Sequence, residues 1–170
     1  AGMIAPHMAT MLAYVLTDAA VSRAALARIL AAALPISFNC IVVDGDMSTN
    51  DTILLLANGE AGNRPIGPRS VEFDDLAGAF AKVMRTLARY MVIDGEGASK
   101  LIDIVIRGAR TRRDAERAAD AVARSPLCKA AFFGGDPYAG RIVCALGYSG
   151  AHFDPARLDV LVGGVPIVRK

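Results

Sequence analysis

The spacing of apolar residues along the chain predicts helices alternating with strands. The clearest helix follows Asp74, where apolar side chains repeat at three- and four-residue steps: Leu76, Phe80, Val83, Leu87 and Met91. Ser22 is a favourable cap for an earlier helix, which Pro35 would end. Thr111 and Asp114 have the spacing of a capping box for a helix that reaches about residue 124.

Short apolar runs between these helices predict strands. They lie at residues 11–16, 38–43, 53–57, 101–106 and 158–162. No internal repeat or linker interrupts the alternation, and 170 residues suffice for one hydrophobic core. The pattern therefore predicts a single α/β or α+β domain.

The composition is that of a globular protein with little net charge. Apolar residues make up 54% of the chain and charged residues 21%, which excludes an intrinsically disordered chain. The formal net charge of +2 lacks the basic excess typical of nucleic-acid binding. We expect no apolar stretch long enough to span a bilayer. These features predict a cytoplasmic protein without nucleic-acid or membrane partners.

The spacing of cysteines and histidines argues against a metal or redox centre. Cys40, Cys128 and Cys144 are isolated from one another in apolar surroundings, so we expect all three to be buried and reduced. His7 and His152 lie far apart and lack the spacing of metal ligands. The glycine-rich stretches match no phosphate-binding fingerprint. The sequence therefore argues against a metal centre, a thioredoxin-like redox centre and a nucleotide-phosphate site.

Three polar clusters separate the apolar runs. They are residues 44–51, residues 94–97, and Asp136 with Pro137. Each has a structural interpretation: a turn rich in side-chain-to-backbone hydrogen bonds, a helix C-terminus, and the start of a helix that runs to residue 148. Each also has a functional interpretation, because loops carry binding and catalytic side chains. The pattern leaves both open, and Thr10 does not stand out at all.

Five segments, read together, resemble one enzyme family. Residues 2–12 read GMIAPHMATML, residues 44–52 DGDMSTNDT, residues 94–100 DGEGASK, residues 136–142 DPYAGRI, and residues 147–150 GYSG. Their order and spacing resemble those of ornithine acetyltransferases, the monofunctional or bifunctional glutamate N-acetyltransferases of arginine biosynthesis. The resemblance covers nearly the whole chain.

This resemblance implies a self-processing enzyme with a threonine nucleophile. The chain would be cut between Ala9 and Thr10, and Thr10 would then be the catalytic and substrate-binding residue. Glu96 would contact substrate. The fold implied is a mixed α+β sandwich, with sheets covered by helices, of the N-terminal-nucleophile-like type, assembled from α and β chains. The implied substrates are N-acetylornithine and glutamate, without a cofactor. Whether acetyl-CoA is a second donor, which would add amino-acid N-acetyltransferase activity, stays open.

The resemblance also implies where the processed chains divide. Residues 1–9 would be the end of the α chain up to the processing site, and residues 10–170 a β-chain domain truncated at its C-terminus. The oxyanion-hole residues of the family would then lie upstream of this sequence. We therefore expect the activity of the full-length protein, and leave open whether this segment is processed or active alone.

Two other functions are compatible with the same residues. An N-terminal-nucleophile aminopeptidase or amidohydrolase would share the fold and the self-cleavage but pass the acyl group to water. A catalytically inactive fragment would fold, or associate with other chains, without reacting. Glutamate-dependent release of ornithine by the full-length protein would favour transfer over hydrolysis.

Overall fold

A computed structural model describes residues 11–46, 48–136 and 138–169. The chain divides into two compact units, Ala1–Ala98 and Ser99–Lys170. Each unit has a hydrophobic cluster of its own, so each is described by itself. Both helices and strands occur, which confirms the mixed fold class expected from the sequence.

A parallel pair of strands begins where the first of the five family segments ends. Strand β1 (Leu12–Thr17) pairs with strand β2 (Thr52–Ala57), in a register that runs from Leu12 opposite Thr52 to Thr17 opposite Ala57. Both strands were predicted from their apolar runs. Parallel neighbours need a long crossover connection, and here the chain between them contains a helix.

The side chains of β1 alternate between the core and solvent. Met11, Ala13 and Val15 point inward and are buried. The opposite side of the pair, here called the outer sheet face, consists of Leu12, Tyr14, Leu16, Leu54 and Leu56. Their exposed fractions are 64%, 53%, 71%, 41% and 46%. The sheet therefore carries apolar residues on both sides, the pattern of a strand pair that is covered on both faces.

The crossover helix α1 (Arg23–Ala33) begins at the predicted cap. Ser22 Oγ accepts a hydrogen bond from the Ala25 amide at 3.2 Å. Two short 3-10 turns follow, Leu34–Ile36 and Phe38–Cys40. The strand predicted at residues 38–43 is therefore wrong. Ser37 Oγ donates to the Ala33 carbonyl at 2.7 Å, a local side-chain-to-backbone hydrogen bond of the kind that competes with strand pairing.

The longest helix packs behind the sheet. Helix α2 (Phe73–Ile93) forms where the apolar repeat predicted a helix, and it buries Phe73, Phe80, Met84 and Ala88. Of the predicted repeat, Val83 is exposed. It packs against α1 and β1, and these residues share one cluster with the inward side chains of both elements. Arg28 of α1 lies over the Phe73 ring at 4.9 Å from its centroid.

One stretch meets the criterion for a membrane span by length and composition alone. In the described part of the chain, Arg23–Cys40 forms 18 residues of helix and helical turn with a mean hydropathy of 1.2. This corrects the expectation that no such stretch exists. Its apolar residues Ile29, Ala33 and Phe38 are buried in the same cluster as α2, as in a core helix of a globular unit.

The second unit combines three helices with a hairpin. Its elements are α3 (Arg112–Arg124), α4 (Pro126–Gly134), α5 (Ala139–Tyr148), β3 (Val160–Val162) and β4 (Val165–Val168). Strands β3 and β4 are antiparallel and are joined at Gly163 and Gly164, which have φ angles of 58° and 82°. A two-residue hairpin turn of this kind needs positive φ at both positions. The apolar run at residues 158–162 predicts β3, whereas no pattern in the sequence predicted β4.

Local caps set the ends of α3 and α4. Thr111 Oγ1 accepts from the Asp114 amide at 3.1 Å, which confirms the predicted start of α3. Ser125 Oγ accepts from the Cys128 amide at 3.2 Å at the start of α4. Cys128 is buried as expected, whereas Cys40 and Cys144 are exposed, contrary to expectation.

The strand predicted at residues 101–106 does not form. No described strand pairs with this segment, whose alternating residues Ile104 and Ile106 instead pack against the cluster of the second unit. Alternation indicates a half-buried extended segment, but a strand also requires a hydrogen-bonding neighbour.

Candidate functional site

Ala9 and Thr10, the predicted cleavage site and nucleophile, lie outside the described residues. The description starts at Met11, the next residue along the chain. The Met11 amide donates to Asp51 Oδ1 at 2.9 Å, and the Thr52 amide donates to the Met11 carbonyl at 2.8 Å. The residue that follows the predicted nucleophile is therefore held on both sides by the start of β2.

The polar loop before β2 is built from short hydrogen bonds between side chains and backbone. The Asp46 amide donates to Asp44 Oδ1 at 3.0 Å, and the Asn50 amide donates to Ser48 Oγ at 3.1 Å. Gly45 has a φ of 87°, and Ser48 is buried. These contacts confirm the predicted turn and hold the residues on either side of Met47, which is itself not described.

The two carboxylate oxygens of Asp51 differ in their hydrogen bonding. Oδ1 accepts the Met11 amide, whereas Oδ2 is buried and has no hydrogen-bond partner among the described residues. A buried carboxylate oxygen without a donor is unusual, because removing it from water without compensation is costly. In the sequence, Asp51 is one of several acidic residues in a polar loop, and no signal distinguishes it from the others.

Glu96 lies in a tight turn at the end of α2. The Asp94 amide donates to the Tyr90 carbonyl at 2.8 Å, and the Ala98 amide donates to the Gly95 carbonyl at 2.9 Å. These bonds confirm the predicted helix C-terminus. The Glu96 side chain is exposed, so its carboxylate is accessible to a ligand from solvent in the described unit.

The turn that carries Glu96 packs against the start of the polar loop. A Cβ atom at Gly95 would lie 3.9 Å from Val43 Cγ1, 3.6 Å from Ala98 Cβ and 3.1 Å from the Val92 carbonyl oxygen. The absence of a side chain at Gly95 thus allows this close approach. Since Val43 directly precedes Asp44, the structure brings two of the five segments together.

The fourth and fifth segments lie at the two ends of α5 in the second unit. The predicted cap at Asp136 is wrong: α5 begins at Ala139 with Tyr138 as its N-cap residue, and Pro137 is not described. The Asp136 amide instead donates to the Ala131 carbonyl at 3.0 Å, which ends α4. A Cβ at Gly140 would come within 2.8 Å of the Tyr138 ring, so Gly140 makes room for that ring.

Lys100, the last residue of the third segment, has a structural role that the sequence analysis missed. Its Nζ donates to the Phe132 carbonyl at 2.8 Å and to the Phe133 carbonyl at 2.6 Å. These carbonyls lie at the C-terminal end of α4, where the helix dipole favours a cation. Lys100 also lies 5.9 Å from the Phe133 ring centroid.

The fifth segment borders an open groove in the second unit. The groove has a volume of about 390 Å³, and Tyr148 and Ser149 line it together with Arg117, Asp120 and Arg124. Arg124 Nε is 2.7 Å from Asp120 Oδ1, and Arg117 donates to the Gly150 carbonyl at 3.1 Å. Both arginines therefore already have protein partners, which weakens any assignment of the groove as an anion site.

Asp114 joins the start of α3 to the chain after α5. Thr111 Oγ1 donates to Asp114 Oδ2 at 2.7 Å, and the His152 amide donates to Asp114 Oδ1 at 3.1 Å. The Thr111 hydrogen bond, followed by the His152 amide and the nearby charges of His152 and Arg117, holds the pKa of Asp114 below its ordinary value. The ionised Asp114 side chain therefore holds the start of α3 against the chain that follows α5.

The described side chains offer no metal centre. In residues 11–46, 48–136 and 138–169, no group of three or more histidine, cysteine, aspartate or glutamate side chains is arranged to hold a metal ion. The first unit instead offers two carboxylates as candidate functional groups. Asp51 lies beside the start of β1, and Glu96 lies on a glycine turn.

The five segments and their structural setting can be compared with known proteins. The sequence matches the ArgJ family model over residues 1–170. The chain belongs to the ArgJ family. It is 54% identical over 168 residues to the arginine biosynthesis bifunctional protein ArgJ of Symbiobacterium thermophilum. It is 48% identical over 167 residues to a glutamate N-acetyltransferase of Methanococcus maripaludis.

The match covers nearly all of this chain but only part of its relatives. It includes 99% of the chain and 42% of the Symbiobacterium protein, and 97% of the chain and 40% of the Methanococcus protein. The chain thus spans less than half the length of these ArgJ relatives.

A solved ArgJ structure supports the fold. The crystal structure of the arginine biosynthesis bifunctional protein ArgJ from Bacillus halodurans is similar with a TM-score of 0.87 and 36% sequence identity. The similarity covers 92% of this chain and 73% of that one. The family resemblance and the ArgJ-type fold expected from the five segments are both confirmed.

Proposed function

We propose that the full-length protein transfers an acetyl group from N-acetylornithine to glutamate in arginine biosynthesis. The observation that carries the proposal is the extent of the ArgJ match: it spans residues 1–170, and the relatives are named as a bifunctional arginine biosynthesis protein and a glutamate N-acetyltransferase. The same proposal makes Thr10 the nucleophile, freed by self-cleavage after Ala9. It includes the division into an α-chain end at residues 1–9 and a β-chain domain from residue 10.

The proposed reaction uses both functional groups of an N-terminal threonine. A threonine hydroxyl needs a base before it can attack a carbonyl. The α-amino group of Thr10, with an ordinary pKa of about 7.7–8.0, is partly neutral near pH 7 and can take that proton. Oγ then bonds to the acetyl carbon, the bond from that carbon to the ornithine nitrogen breaks, and the proton passes to the leaving amine.

The second half of the reaction returns the enzyme to its starting state. The amine of glutamate attacks the acetyl ester on Thr10, the ester bond breaks, and N-acetylglutamate leaves. The Thr10 oxygen recovers a proton from the attacking amine through the same α-amino group. This two-step exchange needs no metal and no cofactor, since each step is an acyl transfer between groups already present.

We assign Glu96 to substrate binding. Its exposed carboxylate lies on a hydrogen-bonded turn in which Gly95 packs against Val43, just before the polar loop that leads to Asp51. A carboxylate in that position can accept charge-assisted hydrogen bonds from the cationic amine of the ornithine moiety. Glu96 would then select a substrate with a positively charged end.

The remaining parts of the proposal concern the whole protein. It would be an assembly of α and β chains in the cytoplasm, with N-acetylornithine and glutamate as substrates. Use of acetyl-CoA as a second acetyl donor would add amino-acid N-acetyltransferase activity. The bifunctional name of the Symbiobacterium relative makes that donor worth testing in the same assay.

The test uses the purified full-length protein and N-acetylornithine labelled in its acetyl group. Transfer requires that labelled N-acetylglutamate appear, and that ornithine release depend on glutamate. A hydrolase would instead release labelled acetate and ornithine at the same rate without glutamate, and an inactive protein would release neither. A parallel reaction with labelled acetyl-CoA and glutamate determines whether acetyl-CoA is a donor. Intact mass spectrometry of the same sample shows whether a chain beginning at Thr10 is present.

A further inference from the structure

The structure contains a buried hydrogen-bond acceptor at the amide of Met11, the residue after the predicted nucleophile, and no described residue donates to it. Asp51 Oδ1 accepts the Met11 amide at 2.9 Å, and Asp51 Oδ2 is buried without a partner among the described residues. A carboxylate accepts hydrogen bonds through both oxygens, so one oxygen remains available for a further donor. The missing donor should lie close to the Met11 amide.

Covalent geometry limits where that donor can be. The Met11 amide nitrogen belongs to the peptide that joins Thr10 to Met11, and a peptide is planar from one Cα to the next. The Asp51 carboxylate therefore binds an amide nitrogen that is two covalent bonds away from the Cα of Thr10. The preceding backbone nitrogen in the chain belongs to Thr10, and two successive backbone N–H groups can together bind one anion.

We propose that Asp51 is the positioning residue for the Thr10 nucleophile, an inference that rests on the function proposed above. Oδ1 fixes the peptide between Thr10 and Met11, and Oδ2 accepts a hydrogen bond from the α-amino group that cleavage leaves on Thr10. The carboxylate holds the amine so that its lone pair faces the Thr10 hydroxyl.

The position of Asp51 makes this arrangement rigid. The Thr52 amide donates to the Met11 carbonyl at 2.8 Å, and Asp51 and Met11 each lie directly before one of the two paired strands. Met11 is itself buried in the cluster behind the sheet. Groups on paired strands hold a catalytic geometry more accurately than groups on a free loop.

A negative charge beside the amine has a measurable effect on its ionisation. A carboxylate within a few ångströms favours the protonated amine and raises its pKa. The other acidic groups of the polar loop and of the turn packed against it are Asp44, Asp46, Asp94 and Glu96. They remain in place when Asp51 is changed, so a shift caused by Asp51 alone can be resolved against them.

Asp51→Asn in the full-length protein separates the two roles of the carboxylate. The asparagine oxygen can still accept the Met11 amide, but the second oxygen becomes an NH₂ group that cannot accept a hydrogen bond. We expect cleavage after Ala9 to stay within about threefold of wild type. We expect kcat for acetyl transfer to fall by about tenfold or more, within the usual range for a displaced general base, with little change in KM.

The pH profile provides a readout that a purely structural role would not change. Without the carboxylate, the acidic limb of kcat/KM for N-acetylornithine should move to lower pH by about one unit, because the amine loses its stabilising charge. The control is Glu60→Gln, which removes the same charge from an exposed position beyond the other end of β2. The control should keep both kcat and the acidic limb of wild type.

The outcomes distinguish this inference from the proposed function. If wild type neither forms a chain beginning at Thr10 nor transfers acetyl groups, the proposed function fails and the inference with it. If wild type does both and Asp51→Asn matches it in kcat and pH profile, only the inference is overturned. If Asp51→Asn is recovered as aggregate, Asp51→Glu replaces it. That variant keeps the charge, so kcat should fall with the acidic limb unmoved, and an unchanged kcat overturns the inference.

Discussion

Truncating Met84 should destabilise the unit that carries β1. Met84 lies at the middle of α2 with 0% of its surface exposed, and it belongs to the same cluster as Met11 and Val15 of the first strand. Met84→Ala removes three heavy atoms from this position. Substitutions of this kind cost roughly 2–5 kcal/mol, depending on how far the neighbours can fill the cavity.

The residues that make up the cluster indicate a loss of stability near the middle of that range. Four of its buried members are alanines, which have no side-chain torsions with which to fill space: Ala13, Ala25, Ala33 and Ala88. Long side chains such as Phe80 can shift partly into the gap. We therefore expect a loss of about 3 kcal/mol in the free energy of unfolding. For a chain of 170 residues this corresponds to a fall in Tm of about 6–12 °C.

The measurement is chemical and thermal unfolding followed by circular dichroism, with Val83→Ala as the matched control. Val83 is the preceding residue of the same helix and is 45% exposed. Its truncation removes two methyl groups but creates no enclosed cavity, so the change should stay within about 0.5 kcal/mol. A loss at Met84 no greater than the loss at Val83 would show that α2 does not bury the face described here.

Three further predictions concern the site and its support. Thr10→Ala in the full-length protein should abolish both cleavage and transfer while Thr10→Ser retains part of each, as judged by intact mass and by ornithine release; two chains from the alanine variant would remove Thr10 as nucleophile. Glu96→Gln should leave cleavage intact but lower kcat/KM for N-acetylornithine about 10- to 150-fold, the loss of one charge-assisted hydrogen bond of about 1.5–3 kcal/mol; unchanged kinetics would exclude a substrate contact. Since the pKa of Asp114 is lowered, its contribution to stability should be complete above pH 3.8 and disappear as the pH falls further. Urea unfolding of wild type and Asp114→Asn should therefore differ at pH 7 and converge in acid, and a difference independent of pH would contradict the assignment.

Features decided by neighbouring residues were predictable from the sequence. The caps at Ser22 and Thr111 form because each hydroxyl reaches an amide three residues later, a contact that the local sequence fully specifies. The inner face of α2 was predictable for a similar reason, because helical periodicity places Phe80 and Leu87 on one side.

Features decided by distant residues were not predictable. Residues 38–43 and residues 101–106 have the composition of strands, yet no described strand lies where it could pair with either. Residues 38–40 instead continue the helical turns after α1. The role of Asp51 depends on an amide 40 positions earlier in the chain, and nothing near Asp51 indicates that partner. The resemblance of the five segments to a known family predicted the fold as a whole. It did not predict which distant residues contact each other.

The outer sheet face has a practical consequence for work with this segment. β1 and β2 form a two-stranded sheet, so each has an unpaired edge in the described chain, and Leu12, Leu16 and Leu56 stand beside those edges in solvent. Open edges with apolar side chains recruit further strands, and natural sheets usually protect such edges with lysine, proline or a bulge. Neither strand contains any of the three. Expression trials of this 170-residue chain should therefore begin with Leu12→Lys or Leu16→Lys. Aggregation through the open sheet edge is the first problem that we expect.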